Sequence, residues 1–167
     1  WEAAADAARE AAIRVVHARF GLIISRQGGL LARVRVPFQT ALGGKMGSGR
    51  QWWPWISLPD VINGLSFVLG REDISGPVNF TGPTPVRNEE FTKLMSSTLS
   101  RPAWFQIPAP IIKLIFGEMG EETMLGSQRA FPEKLRAAGF EWVYNTLDEV
   151  LYQELIAGRS DRWGHTS

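Results

Sequence analysis

Arg14-Val15-Val16-His17-Ala18-Arg19-Phe20-Gly21-Leu22-Ile23-Ile24 is the stretch whose reading decides the fold. Its β-branched and apolar residues, interrupted by Gly21, suit a buried strand of a parallel sheet rather than a helix. On its amino-terminal side, Glu2 to Ala12 carry seven alanines among charged residues. Alanine loses no side-chain entropy in a helix, so this segment is predicted helical. The chain opens at Trp1, inside that pattern, which predicts a piece truncated within a helix rather than a native amino terminus.

On the carboxy-terminal side, Gly28-Gly29 opens a segment with Leu30, Leu31, Val34 and Phe38 at helical spacing, which Pro37 should end or kink. A glycine-rich loop, Gly43 to Arg50, then leads into a short strand through Trp52, Trp53, Trp55 and Ile56. Ser57 with Asp60 three residues on predicts a helix start, with Val61, Ile62, Leu65, Val68 and Leu69 as the apolar face and Gly70 as the stop. Val78 to Thr81 reads as a strand, and Asn88 as the cap of a helix bearing Phe91, Leu94, Met95 and Thr98. Helices are further expected over Ala109 to Phe116 and Met119 to Arg129, with a turn or two from Pro132 to Gly139. Thr146-Leu147-Asp148-Glu149 is a capping box, and Leu147, Val150, Leu151 and Leu155 form the stripe of a last helix before a polar tail. Strands alternating with helices make the fold class α/β.

Composition narrows the function. Lys plus Arg total 18 against 17 Asp plus Glu, so there is no long-range field for nucleic acid or an acidic membrane face. No cysteine is present, which removes disulfides, thiolate metal sites and a cysteine nucleophile, and a reducing cytoplasm is compatible. The most apolar stretch, Ile107 to Gly117, is interrupted by Pro108, Pro110 and Lys113 and falls short of the roughly 20 residues a membrane span requires.

The motifs exclude more than they assign. The loop from Gly43 to Arg50 invites a phosphate-binding reading, but Met46 follows Lys45 where a P-loop needs Ser or Thr. Gly44, Gly47 and Gly49 are spaced in the reverse of the dinucleotide fingerprint and precede tryptophans rather than a helix. The run Trp52-Trp53-Pro54-Trp55 suits a ligand pocket or core packing equally. His17 lies within a strand pattern and His165 in the tail, so neither has an evident metal-binding or triad partner. Tyr144 and Tyr152 are followed four residues later by Asp148 and Ile156, so no Tyr-x-x-x-Lys pair occurs. Asn79-Phe80-Thr81 matches a glycosylation sequon inside a predicted strand, where chance is the better explanation.

Four segments together resemble one family: Arg19-Phe20-Gly21-Leu22-Ile23 with Gly28-Gly29-Leu30; Gly43-Gly44 through Gly47-Ser48-Gly49-Arg50-Gln51; Trp55-Ile56-Ser57-Leu58-Pro59-Asp60; and Gly76-Pro77-Val78-Asn79-Phe80. They are similar to the epimerase-like, extended short-chain dehydrogenases of the cell-division-inhibitor-homologue type. Asn88-Glu89-Glu90-Phe91, Arg101-Pro102-Ala103, Phe116-Gly117-Glu118 and Ala137-Ala138-Gly139-Phe140 extend the resemblance. It implies the carboxy-terminal part of an NAD(P)-binding Rossmann-like fold over residues 1–100, a small, mainly helical substrate-side domain over 101–157, and a frayed tail over 158–167.

The same resemblance implies an NAD(P)-dependent epimerase or oxidoreductase acting on a sugar-like or other carbinol substrate. NAD or NADP would be held mainly by a segment outside this chain, where a tyrosine base and its lysine would also lie. Phe20, Gly21, Leu22 and Ile23 would then be cofactor-adjacent, and Arg50, Gln51 and Trp53 substrate-binding. No residue of the chain is expected to be catalytic, and a homodimer is compatible. Ser57 stands where the family usually has a histidine and Pro59 where it has an acidic residue, although Asp60 is retained, so the resemblance carries over no role from that histidine. The alternative is a non-catalytic dinucleotide sensor or interaction module on the same fold. Expressed alone, such a piece is expected to leave a sheet edge exposed and to self-associate.

Overall fold

The computed structural model describes residues 13–108, 110–114, 117 and 124–158. The alanine-rich segment at Glu2 to Ala12, His165 and most of the polar tail lie outside the described residues.

The stretch around Gly21 forms two strands, β1 (Val16–Phe20) and β2 (Leu22–Ile24). Strands β3 (Gly44–Met46), β4 (Trp52–Trp53) and β5 (Trp55–Ser57) follow after the helix α1 (Gly29–Gln39). Helix α2 (Leu58–Leu69) leads to β6 (Gly76–Phe80), β7 (Val86–Arg87) and helix α3 (Asn88–Leu99). Strand β8 (Phe105–Ile107) and helices α4 (Glu133–Ala137) and α5 (Leu147–Leu155) complete the order, with residues 110–114 and 124–125 also helical.

Pairing is mainly parallel: β1 with β6, β2 with β5, and β3 with β8, while β4 and β7 run antiparallel. Parallel neighbours distant in sequence require crossovers, which α1, α2 and α3 supply. Gly21 is the switch point, because its N–H donates to the Phe80 carbonyl 3.0 Å away while the Leu22 N–H donates to the Pro54 carbonyl at 2.7 Å. A Cβ at Gly21 would stand 2.6 Å from the Pro54 oxygen, so the close approach of β2 to the β4–β5 bend demands glycine there.

Two hydrophobic clusters form the core. The larger gathers Leu30, Leu31, Val34 and Phe38 of α1 with Trp53, Trp55, Phe91, Met95 and the α5 stripe Leu147, Val150, Leu151 and Leu155. The second packs Ile56, Val61, Val68, Val78 and Phe80 with Leu135 and Phe140. Residues beyond 100 therefore contribute to both cores. The α1 and α5 faces are the ones their 3.6-residue spacing indicated, and α5 has the capping box, with the Thr146 hydroxyl and Glu149 carboxylate each accepting from the other's backbone.

Several elements depart from the sequence reading. Strand β1 is not buried: Ala18, Arg19 and Phe20 are exposed, because among the described residues β6 is its only strand partner. Pro37 does not stop α1 but sits within its last turn. On α2, Asp60, Val61, Gly64 and Val68 face inward, while Ile62, Leu65 and Leu69 are exposed. Gly64 lets the helix lie on Phe80, since a Cβ there would come within 3.1 Å of the ring, and this close approach decides which face is buried.

Asn88 begins α3 rather than capping it, since its Oδ1 accepts from the Met46 N–H at 2.8 Å. The glycine-rich stretch contains strand β3, because Phe105–Ile107 offers it a partner; a Cβ on Gly44 would collide with the Phe105 carbonyl. Residues 126–129 are neither helix nor strand, and hydrogen bonds tie Ser127 and Gln128 to β4.

Candidate substrate cleft

The bend that joins β4 to β5 places Trp52, Trp53 and Pro54 opposite the end of β1 and start of β2. Between them lies a cleft of about 490 Å³ whose walls are Phe20–Leu22, Trp52–Pro54 and residues 126–128. The volume is in the range of small-molecule sites. No titratable side chain lines it among the described residues, so its chemistry is aromatic and apolar contact, backbone groups, the Ser127 hydroxyl and the Gln128 amide.

The third wall is fastened to the second. The Trp52 N–H donates to Ser127 Oγ at 3.1 Å, and the Gln128 N–H returns a bond to the Trp52 carbonyl at 3.1 Å. Behind them, Trp53 Nε1 and Gln51 Nε2 both donate to the Met124 carbonyl at 3.1 Å, and Gln51 Nε2 also donates to the Met46 carbonyl at 2.8 Å. Trp53 and Gln51 are buried at 2% and 6% exposure. A buried indole or amide left without these acceptors would carry a desolvation penalty, so the bonds pin segment 124–128 in place.

A second hollow of about 450 Å³ lies on the other side of Trp52, over Trp55, Thr84 to Val86, Arg129, Phe131 and the start of α5. Arg87, opposite Trp52 in the β4–β7 register, holds its guanidinium 4.9 Å from the indole centroid. Arg129 holds its own 4.7 Å from that indole and 5.4 Å from the Phe131 ring. Guanidiniums stack favourably on indole faces, so β7, β4 and the segment after residue 128 are tied side by side.

Asp60 joins the carboxy-terminal region to the rest from another direction. Its carboxylate is fully buried, accepts the Ser57 hydroxyl at 2.5 Å and accepts the Val143 N–H at 2.7 Å. The Ser57 hydroxyl in turn caps α2 by accepting the Asp60 N–H at 3.1 Å.

Of the residues singled out from sequence, Phe20, Gly21, Leu22 and Trp53 meet at the cleft. Ile23 does not line it and packs against the second core cluster. Arg50 is exposed and does not line the cleft, whereas Gln51 acts behind the wall rather than on its surface. Trp52 and Pro54, from the tryptophan run that suited a pocket or core packing equally, also line the cleft, whereas Gly126-Ser127-Gln128 are wall residues the sequence reading did not single out. The available signal was Gly126-Ser127, a turn pair that argues against a helix running through to Arg129. Asn79, the sequon residue, lies in β6 and donates from its amide to the Phe131 carbonyl at 3.1 Å.

Residues 107–154 match the family model described as Domain of unknown function (DUF1731). Over 151 residues the chain is 43% identical to an epimerase family protein of Mycobacterium bovis, covering 90% of this chain and 50% of the relative. An epimerase family protein of Staphylococcus epidermidis is 38% identical with the same coverage of each chain. Among solved structures, the human epimerase family protein with NADPH superposes with a TM-score of 0.78 at 29% identity, over 85% of this chain and 48% of that one. A nucleoside-diphosphate sugar epimerase of Corynebacterium glutamicum gives 0.73 at 30% identity, over 93% of this chain and 29% of that one. Thermotoga maritima UDP-glucose 4-epimerase, at 16% identity and a TM-score of 0.69 over 96% of this chain and 51% of that one, shares the fold. The chain spans about half the length of the curated relatives it matches, it is similar to epimerase family proteins, and its fold is α/β and Rossmann-like.

Proposed function

We propose that this chain supplies the substrate-side wall of an NAD(P)-dependent epimerase or oxidoreductase that acts on a sugar-like or other carbinol substrate. The observation that carries the reading is the cleft itself. Phe20-Gly21-Leu22, at the end of a parallel strand, faces Trp52–Pro54 and the tethered segment 126–128 across a space of ligand size. Open α/β sheets bind ligands at strand ends of this kind. The relative solved with NADPH supports a nicotinamide dinucleotide as the cofactor.

In this reading Phe20, Gly21 and Leu22 stand beside the nicotinamide, Ile23 supports them from the core, and Trp53 contacts the substrate while Gln51 holds the wall. Arg50 is exposed and does not line the described cleft, and in this reading it reaches a substrate phosphate by a paired guanidinium contact. When bound, the dinucleotide supplies hydride transfer. In this reading the proton-transferring groups come from outside this chain, and the described cleft wall offers aromatic, apolar and neutral polar groups. This chain orients substrate and excludes water.

The test is reconstitution. NAD and NADP are titrated by calorimetry into this chain alone, into the part of the Mycobacterium bovis relative that it does not match, and into their mixture. Binding that appears or tightens about tenfold or more only in the mixture supports the reading, because the cofactor site would be shared. Identical binding with and without this chain would overturn it. In the assembled protein, Arg50→Ala is expected to weaken substrate binding with dinucleotide affinity nearly unchanged, checked by parallel titrations.

A further inference from the structure

Across Trp52 from the substrate cleft, the second hollow, of about 450 Å³, carries charges of both signs in its own lining, over an apolar base. Trp55, Val86 and Leu147 are buried at that base, whereas Arg129, Glu90 and Asp148 are exposed at the rim. Arg129 belongs to the aromatic side, its guanidinium 4.7 Å from the Trp52 ring centroid and 5.4 Å from that of Phe131. Glu90 and Asp148 come from the first turns of α3 and α5, two helices that pack on each other. Arg87 stacks on the same indole but does not line the hollow.

These rim charges do not neutralise one another. Among the described residues Arg129 contacts the two rings and forms no ion pair, and neither Glu90 nor Asp148 has a cationic partner. Stacking holds the guanidinium by its face and leaves the N–H donors at its edge for an acceptor. The hollow is therefore a space of ligand size bordered by one unpaired cation and two unpaired anions. A purely anionic ligand would meet two carboxylates there, and a purely cationic one would meet the guanidinium. A neutral polyol would cover all three charges without pairing any of them.

We infer that this hollow binds a free α-amino acid with an apolar side chain. The carboxylate lies on Arg129 as a paired guanidinium contact, and the ammonium, with three donors, lies on Glu90 and Asp148. The side chain reaches the base formed by Trp55, Val86 and Leu147. None of the three charged residues takes part in the substrate cleft, so the site stands independently of the function proposed above.

The experiment is calorimetric titration of the full 167-residue chain with L-phenylalanine and L-leucine. The comparison ligands are 3-phenylpropanoate, which lacks the ammonium, phenethylamine, which lacks the carboxylate, glycine, N-acetyl-L-phenylalanine amide and glucose. The expected result is one saturable site for the two apolar amino acids, with each single-charge analogue weaker by about tenfold or more, as the loss of a hydrogen bond between charged groups requires. Glycine should also bind more weakly, because it leaves the apolar base uncovered. Arg129→Gln should remove the preference for L-phenylalanine over phenethylamine, and Glu90→Gln combined with Asp148→Asn should remove the preference over 3-phenylpropanoate. All three positions are exposed, and unchanged far-ultraviolet circular dichroism and thermal midpoints would show that the variants fold. The analogue series on the parent chain decides the matter even if a variant does not fold. Single-charge analogues or glucose binding as tightly as the amino acids, equal binding of the capped amino acid, absence of saturable binding, or folded variants that discriminate like the parent would each overturn the proposal.

Discussion

At the scale of single residues, glycine and buried polar groups decide more than the tryptophans that dominate the sequence by eye. Gly21 is required because the Pro54 carbonyl lies 2.6 Å from where a Cβ would sit. Gly21→Ala must displace the β4–β5 bend, at a cost of about 1–3 kcal/mol for overpacking; the loss should appear in denaturant unfolding and in a reshaped cleft. Asp60 is fully buried between the Ser57 hydroxyl and the Val143 N–H. Asp60→Asn replaces the acceptor of the Ser57 hydroxyl by an amide with two N–H donors, of which that hydroxyl can accept one, and leaving the other buried and unsatisfied costs about 1–3 kcal/mol. Urea unfolding of the variant measures that cost, and faster proteolysis around Val143 would locate it. The sequence displayed the Ser57–Asp60 cap but not the second bond to Val143, because that contact spans 83 positions of chain.

At the scale of elements, local signals succeeded where the partner was local. The capping box at Thr146 and Glu149 formed, and Thr146→Ala is expected to lower stability by about 1 kcal/mol, measured by thermal or urea unfolding. The turn after α2 carries an exposed bidentate pair, Arg71 with Asp73 at 2.8 Å. The hydrogen bonds from Arg71 hold the Asp73 carboxyl at about 2, below its ordinary value. A carboxyl depressed in the folded state favours folding above its unfolded pKa, near 4, and loses that effect as pH falls toward 2. The pair is solvent-screened, so Asp73→Asn should leave the thermal midpoint near pH 7 almost unchanged and flatten only the acid limb. Strands β3 and β8 were missed for the opposite reason. Each is three residues long and is a strand only because the other lies beside it, Gly44 against Phe105 and Met46 against Ile107.

At the scale of the whole molecule, the exposed face of β1 sets the behaviour of the chain on its own. Ala18, Arg19 and Phe20 are exposed, and β6 is the only strand partner of β1 among the described residues. An unpaired parallel edge templates association. Sedimentation velocity should therefore show concentration-dependent self-association, and Ala18→Lys should reduce it by placing a charge on the edge. Monomeric behaviour of the parent at all concentrations would count against an available edge. No described helix is long and apolar enough to cross a membrane.

By itself the sequence determined the α/β class, the helices α1 and α5 with the residues they bury, the cap at Ser57, and a resemblance to epimerase family proteins through motifs distributed along nearly the whole chain. These depend on spacing within a turn of helix, on backbone conformation at one residue, or on residue identity, all of which are written locally. Tertiary structure alone decided that Gln51 and Trp53 hold Met124 from behind, that Gly126-Ser127-Gln128 closes the cleft, and that α2 turns Ile62, Leu65 and Leu69 outward. Those outcomes depend on which distant surface wins each polar group or apolar face. That competition is settled by packing and hydrogen-bond satisfaction across the whole molecule.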